Sequence, residues 1–204
     1  MNYLKYLTEE IHSTVMATVD ENGLPVTCVI DIMDYDENGL YFLTASGKNF
    51  YARLKRGRYV SLTGMKGTDT LSCVAISVRG KVQEVGSDYL NRLFEKNSYM
   101  YEIYPTKKSR TALTVFRIYD GCGEWFDLSK KPIERASFSF GNCAKTVAGY
   151  YVTDKCIGCK KCAEVCPQGC IDFANGYARI IQSSCLHCGN CFNICPEKAV
   201  VKRG

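Results

Sequence analysis

Nine of the thirteen cysteines in this 204-residue chain fall between Cys156 and Cys195, and nothing else in the sequence limits the fold so strongly. The other four, Cys28, Cys73, Cys122 and Cys143, are scattered upstream. Thirteen is odd, so a closed set of disulfides would leave one thiol over, and in a reducing compartment so dense a tract reads as metal ligands. The tract also repeats itself. SSCLHCGNCFNICPEKAV lies under DKCIGCKKCAEVCPQGCI at an offset of 29 residues. Cys156 then pairs with Cys185, Cys159 with Cys188, Cys162 with Cys191, Cys166 with Cys195, and Pro167 with Pro196. Between the copies, Ile171 to Ile181 reads as a hairpin on an Asn175-Gly176 turn.

The doubled C-x2-C-x2-C-x3-C-P frame resembles bacterial two-cluster ferredoxins over residues 151 to about 202. That resemblance implies one 4Fe–4S cluster on Cys156, Cys159, Cys162 and Cys195, and a second on Cys185, Cys188, Cys191 and Cys166. Three cysteines at intervals of three wrap one face of a cuboidal cluster, the proline turns the chain away, and a remote cysteine closes the fourth corner. C-x2-C pairs also describe zinc ribbons, but zinc requires neither the third cysteine nor the C-P ending. Two points depart from the common pattern. Residues 151–204 carry seven basic and four acidic side chains, where many such ferredoxins are acidic, which points to an acidic partner or to work within the same polypeptide. Cys170 has no counterpart cysteine: it faces Ala199. It either packs as a small hydrophobe beside a cluster or serves as an alternative ligand or reactive thiol.

The rest of the chain needs another account. Hydrophobic residues make up 46% and charged residues 23%, enough for a core, and the length suits one ordinary domain plus a small one. No apolar run approaches the ~18 residues of a membrane span, and MNYLKYLTEEIHST lacks the layout of a signal peptide. A cytoplasmic protein without a membrane partner is expected. The net charge of +5 is weak and scattered, so no nucleic-acid partner is expected either. Residues 1–142 hold no Walker loop, no G-x-G-x-x-G, no Ser/His/Asp set and a single histidine, His12. Their pattern is about six strands: 13–19, 26–33, 40–44, 59–64, 71–85 and 113–119. Gly/Asn/Asp turns separate them, which indicates an antiparallel barrel or sandwich. Helices are expected from Gly47 to about Lys55 and from Asp88 to about Tyr104, the latter with Leu90, Leu93 and Phe94 on one stripe.

The stretches ATVDENGLPVTCVI, GLYFLTASGKNFYARLKRGRYVSLTG and LTVFRIYDGCGEWFDL resemble the FMN-binding split barrel of the pyridoxamine 5′-phosphate oxidase-like superfamily. The resemblance implies FMN in a groove shared by a homodimer. Val26, Thr27 and Cys28 would offer backbone contacts to the ring system, and Thr44, Ala45, Ser46, Lys48 and Asn49 would cradle the phosphate. The loop chemistry agrees: hydroxyl donors, a glycine permitting close approach, and a lysine at a helix start, a natural anion site. An ordinary polar loop with a helix cap is the plainer alternative. Trp125 either approaches the flavin from the partner subunit or fills a buried or interface position. The resemblance brings no substrate with it. The histidine that nitroimidazole-reductase relatives carry after strand three is replaced by Leu43-Thr44, the Arg-x-His-x-Arg motif of vitamin B6 oxidases is missing, and the histidines of haem-degrading relatives are not evident.

The expected fold class is therefore a mainly β split barrel with flanking helices plus a small α+β ferredoxin domain. The domains are 1–140 for the barrel, 141–149 for a linker and 150–204 for the ferredoxin. The expected function is an oxidoreductase, from an anaerobe, that passes electrons between two 4Fe–4S clusters and FMN. Its redox partner is a protein or small-molecule acceptor, and no catalytic proton donor can be named. The alternative is a redox carrier or sensor without substrate turnover.

Overall fold

The structure, a computed structural model, describes residues 1–144 and 148–204. It separates into two compact units. The first comprises Met1–Lys66, Ala75–Glu124 and Phe138–Ala144; the second gathers Gly67–Val74, Trp125–Ser137 and Lys145–Gly204. The expected linker over 141–149 includes Lys145, Thr146 and Val147, which lie outside the described residues.

In chain order the sheet elements are α1 (Tyr3–Tyr6), β1 (Ser13–Val19), β2 (Pro25–Asp31), β3 (Asp34–Asp36), β4 (Gly39–Ala45), α2 (Asn49–Gly57), β5 (Tyr59–Lys66), β6 (Val74–Gly86), α3 (Leu90–Lys96), α4 (Met100–Ile103), β7 (Leu113–Asp127) and β8 (Glu134–Phe140). Among the described residues they build one eight-stranded sheet in the order β2-β1-β5-β6-β7-β4-β3, with β8 paired to β7. The β1–β2 turn is held by Asp20, whose Oδ1 accepts from the Asn22 and Leu24 N–H groups, both at 2.9 Å.

β7 runs eight residues past the expected end at Tyr119. Gly121 and Gly123 break the apolar alternation in sequence, yet in the sheet they admit aromatic rings. A Cβ on Gly121 would meet Phe140 at 2.3 Å, and one on Gly123 would meet Phe138 at 2.5 Å. The expected helix over 88–104 is divided into α3 and α4 by Asn97. Its buried side-chain amide donates to Leu93 O at 2.8 Å and Met33 O at 2.9 Å, competing for the carbonyl that would continue the helix. Leu90, Leu93 and Phe94 do share one buried face, against Met33, Tyr41, Leu113 and Val115.

The cysteine-rich unit contains β9 (Gly149–Val152), α5 (Lys161–Glu164), β10 (Ile171–Ala174), β11 (Tyr177–Ile180), α6 (Asn190–Ile194) and β12 (Val200–Arg203). β10 pairs antiparallel with β11 across Asn175 (φ 55°) and Gly176 (φ 84°), the two left-handed residues of a tight hairpin. β9 pairs with β12. Each two-stranded sheet thus pairs a strand that precedes one cysteine run with a strand that follows the other. The repeat is also conformational. At the 29-residue offset, positive φ recurs at Gly158 and His187 (66° and 56°), Lys160 and Gly189 (66° and 84°), and Gly169 and Lys198 (57° and 48°). Loop paths are shared even where glycine is replaced, so the backbone and not the residue type is what repeats.

Candidate cofactor sites

The eight frame cysteines sort into two cavities. One is lined by Cys156, Cys159, Cys162 and Cys195, with Phe173, Ala199 and Val200 among its walls. The other is lined by Cys166, Cys185, Cys188 and Cys191, together with Cys170, Ile171 and Ile180. These are the two sets expected from the sequence, with the fourth cysteine of each run crossing to the other copy's cavity. The sulfurs wall an apolar volume, a donor set that suits an iron–sulfur cluster.

Backbone amides aim at these sulfurs. His187 N–H donates to Cys185 Sγ at 3.4 Å and Ala199 N–H to Cys195 Sγ at 3.3 Å. Burial raises the Cys162 thiol and pushes that of Cys191 up to about 11, so iron binding there must displace a proton. Cys166 differs. Burial opposes its thiolate, but the N–H groups of Cys170, Gln168 and Gly169 and the Cys170 thiol outweigh it and hold Cys166 below the ordinary thiol range. Cys170 is 4% exposed with its sulfur 3.5 Å from Cys166 Sγ. Burial first, then Cys166, pushes its thiol up to about 12, so it remains a protonated donor. Ala199, at the matching place in the other copy, is 1% exposed and has no such donor.

In the sheet unit, Val26, Thr27 and Cys28 lie along β2, opposite Thr18, Ala17 and Met16. Thr44 and Ala45 end β4, Ser46 N–H donates to Ala112 O at 2.9 Å, and Lys48 stands as the N-cap of α2, which Asn49 opens. Cys28 ties the two groups together. Burial raises its thiol, and the cations of Arg53 and Lys48 pull against that shift. Thr44 Oγ1 is buried and has no hydrogen-bond partner among the described residues. A buried orphan hydroxyl at the end of β4, in the segment that leads into α2, suits an anionic ligand such as a flavin phosphate. Trp125 is 9% exposed and falls in the cysteine-rich unit.

Arg53 was not anticipated. Its Nε donates to Thr18 Oγ1 at 2.8 Å, and Thr18 in turn donates to Val26 O at 3.3 Å, which locks α2 to β1 and β2. The available signal was helical spacing: Arg53 stands one turn from Asn49. Asp31, Tyr99 and His12 also meet. Tyr99 Oη donates to Asp31 Oδ2 at 2.9 Å and lies 3.1 Å from His12 Nε2. Separations of 68 and 87 residues leave no local sequence signal for this trio.

A family model described as pyridoxamine 5′-phosphate oxidase matches residues 3–119, and one described as a 4Fe-4S dicluster domain matches residues 155–199. No curated protein matches the chain. Among solved structures, a NimC/NimA family protein from Clostridium acetobutylicum is 17% identical with a TM-score of 0.54, covering 68% of this chain and 87% of its own. A protein from the same organism, related to general stress protein 26 of B. subtilis and assigned to the pyridoxinephosphate oxidase family, is 16% identical with a TM-score of 0.50 (66% and 90% covered). A heme binding protein from Mycobacterium smegmatis is 10% identical with a TM-score of 0.52 (67% and 56% covered). At such identities these neighbours speak to fold alone. The chain belongs to the pyridoxamine 5′-phosphate oxidase-like split-barrel family, a flavin-binding fold, and carries a C-terminal 4Fe–4S ferredoxin domain.

Proposed function

We propose that the protein is an FMN- and iron–sulfur-dependent oxidoreductase in which two 4Fe–4S clusters and FMN exchange electrons and serve an external protein or small-molecule acceptor. The supporting observation is the pair of cavities, each lined by four frame cysteines, in the same chain as a flavin-binding barrel. Bound together, the clusters supply single electrons and a flavin exchanges them one or two at a time. The protein's own part is to hold and tune. The cysteines ligate, amide N–H groups of Ala199 and His187 stabilise charge on sulfur, and Lys48, Arg53 and the α2 N-terminus favour a phosphate.

A homodimer is part of this reading. Val15 and Val29 face each other across β1–β2 and are 47% and 69% exposed, with Val19, Leu24 and Met65 also open. Such an apolar surface favours a partner. Among the described residues no helix is long and apolar enough to cross a membrane.

Anaerobically isolated protein is expected to contain about eight irons per chain, the content of two four-iron clusters, and to release FMN on denaturation. Dithionite-reduced protein should then reoxidise with an organic or protein acceptor in repeated turnovers. A chain loaded with both cofactors that turns over no acceptor would be a carrier or sensor, and one that retains zinc and no iron would overturn the reading. Light scattering of the holoprotein at twice the chain mass supports the dimer; a monomer removes it.

A further inference from the structure

Four cysteines lie outside the ferredoxin frame and its neighbourhood, and two of them meet. Cys122 is on β7 and Cys143 follows β8, and both are half-buried. The segment bearing Cys143 is pinned beside β7. Asn142 N–H donates to Asp120 Oδ1 at 2.8 Å, and Gly141 packs so closely that an added Cβ would stand 2.6 Å from the same oxygen. Arg79 Nε donates to Cys122 Sγ at 3.5 Å, and the Cys143 thiol, which donates to Ala144 O at 3.7 Å, lies close enough to Cys122 for the two to interact electrostatically.

We propose that Cys122 and Cys143 form a redox-active dithiol, with Cys122 the attacking sulfur and Cys143 the resolving one. Cys122 Sγ accepts from the Arg79 guanidinium, an electropositive contact of the kind that assists attack by sulfur. Burial first, then the neighbouring Cys122, raises the Cys143 thiol, which suits Cys143 to follow as the resolving sulfur. The oxidant class is a low-molecular-weight disulfide, RSSR. The Cys122 thiolate attacks one sulfur, a Cys122–SR bond forms, the S–S bond of RSSR breaks and RS⁻ leaves to take up a proton. Cys143 then gives up its proton and attacks Cys122 Sγ. The protein disulfide forms and the second RS⁻ departs as RSH. Two protein thiols are oxidised by two electrons and one RSSR is reduced to two RSH. Neither cofactor takes part, so the proposal stands apart from the flavin and cluster assignments.

The test treats anaerobic full-length holoprotein with hydroxyethyl disulfide, blocks free thiols with N-ethylmaleimide and maps peptides by mass, with visible absorbance reporting the clusters. Wild type should yield a linked Cys122–Cys143 peptide with cluster absorbance unchanged. Cys143→Ser should stop at a hydroxyethyl adduct on Cys122, and Cys122→Ser should leave Cys143 unmodified. Arg79→Leu, at an exposed position, should slow adduct formation about tenfold. No linkage in wild type, an adduct forming as fast on Cys143 as on Cys122, or an unchanged rate in Arg79→Leu would each overturn the proposal.

Discussion

In the sheet unit the largest fully buried side chains are Tyr41, Phe42, Phe94, Phe116, Leu7 and Met16, and Phe42 stacks on Phe116 with ring centroids 5.8 Å apart. In the cysteine-rich unit the buried cluster is Cys170, Ile171, Ala178, Ile180, Cys185, Cys191 and Val200, in a unit whose two sheets each have two four-residue strands. Aromatic burial of the first kind supports a fold through apolar transfer and close packing. The second set is small, and about half of it is thiol. Segments of this size rarely stay folded on so little apolar area without a staple or a metal. One region is held by its core; the other is expected to be held by what its cysteines bind.

Removing iron is the strongest way to break that contrast. Chelation under mild oxidation should unfold β9–β12 while the eight-stranded sheet persists, a loss on the order of 10 kcal/mol if iron–sulfur ligation here matches structural metal sites. Hydrogen exchange reads it directly. Amides of Ile180, Ile181 and Thr153 should lose protection, and those of β1 and β4 should keep it. Protection retained in the iron-free tail would mean that its small core suffices.

The converse is Phe116→Ala. Phe116 is 1% exposed, stacks on Phe42 and meets Tyr51 edge-on, so truncation should cost about 4 kcal/mol. Urea unfolding followed by tyrosine fluorescence should register it while the cluster spectrum holds its wild-type intensity. Equal loss of both signals would make the two regions one cooperative unit.

The same contrast explains what could be read from the amino acids. Cluster ligands are local in sequence: the frame and its 29-residue echo name both cysteine sets, and Asn175-Gly176 names the hairpin. The strands over 13–19 and 59–64 follow from alternation, because one face is buried at Met16, Leu62 and Gly64. The extension of β7 does not, since Gly121 and Gly123 make room for rings supplied about 15 to 20 residues later. The interruption at Asn97 depends on Met33 O, 64 residues away, and Arg53 gains its meaning from Thr18. Long-range partners of this kind leave no pattern in the segment they act on.

Glu84 gives a smaller and pH-dependent handle on the sheet unit. It accepts from Lys55 Nζ at 2.9 Å and from Thr114 Oγ1 at 2.8 Å. Lys55 is the main reason its carboxyl lies below the usual range; burial opposes, and Thr114 and Tyr51 add to the lowering. A folded value below the unfolded one means that this stability is present above the ordinary glutamate value of about 4.3 and is lost as pH falls through the lower folded value. Glu84→Gln should cost about 1 kcal/mol at neutral pH and flatten that part of the acid unfolding curve. Unchanged acid sensitivity would assign the effect to other carboxylates.

The finest comparison lies within the ferredoxin domain. Its two copies share loop geometry but differ at one buried place, Cys170 against Ala199. A thiol donating to a ligating sulfur stabilises the more negative, reduced cluster, and hydrogen bonds to sulfur are among the terms that set cluster potentials. Cys170→Ala should therefore lower the reduction potential of the cluster assigned to Cys166, Cys185, Cys188 and Cys191 and leave the other unmoved. Ala199→Cys should raise the potential of the cluster assigned to Cys195, Cys156, Cys159 and Cys162. Potentiometric titration followed by EPR separates these outcomes. Equal shifts of both clusters in Cys170→Ala would mean that the thiol acts through the fold as a whole, whereas opposite, site-confined shifts in the two variants would trace the inequality of the clusters to a single sulfur.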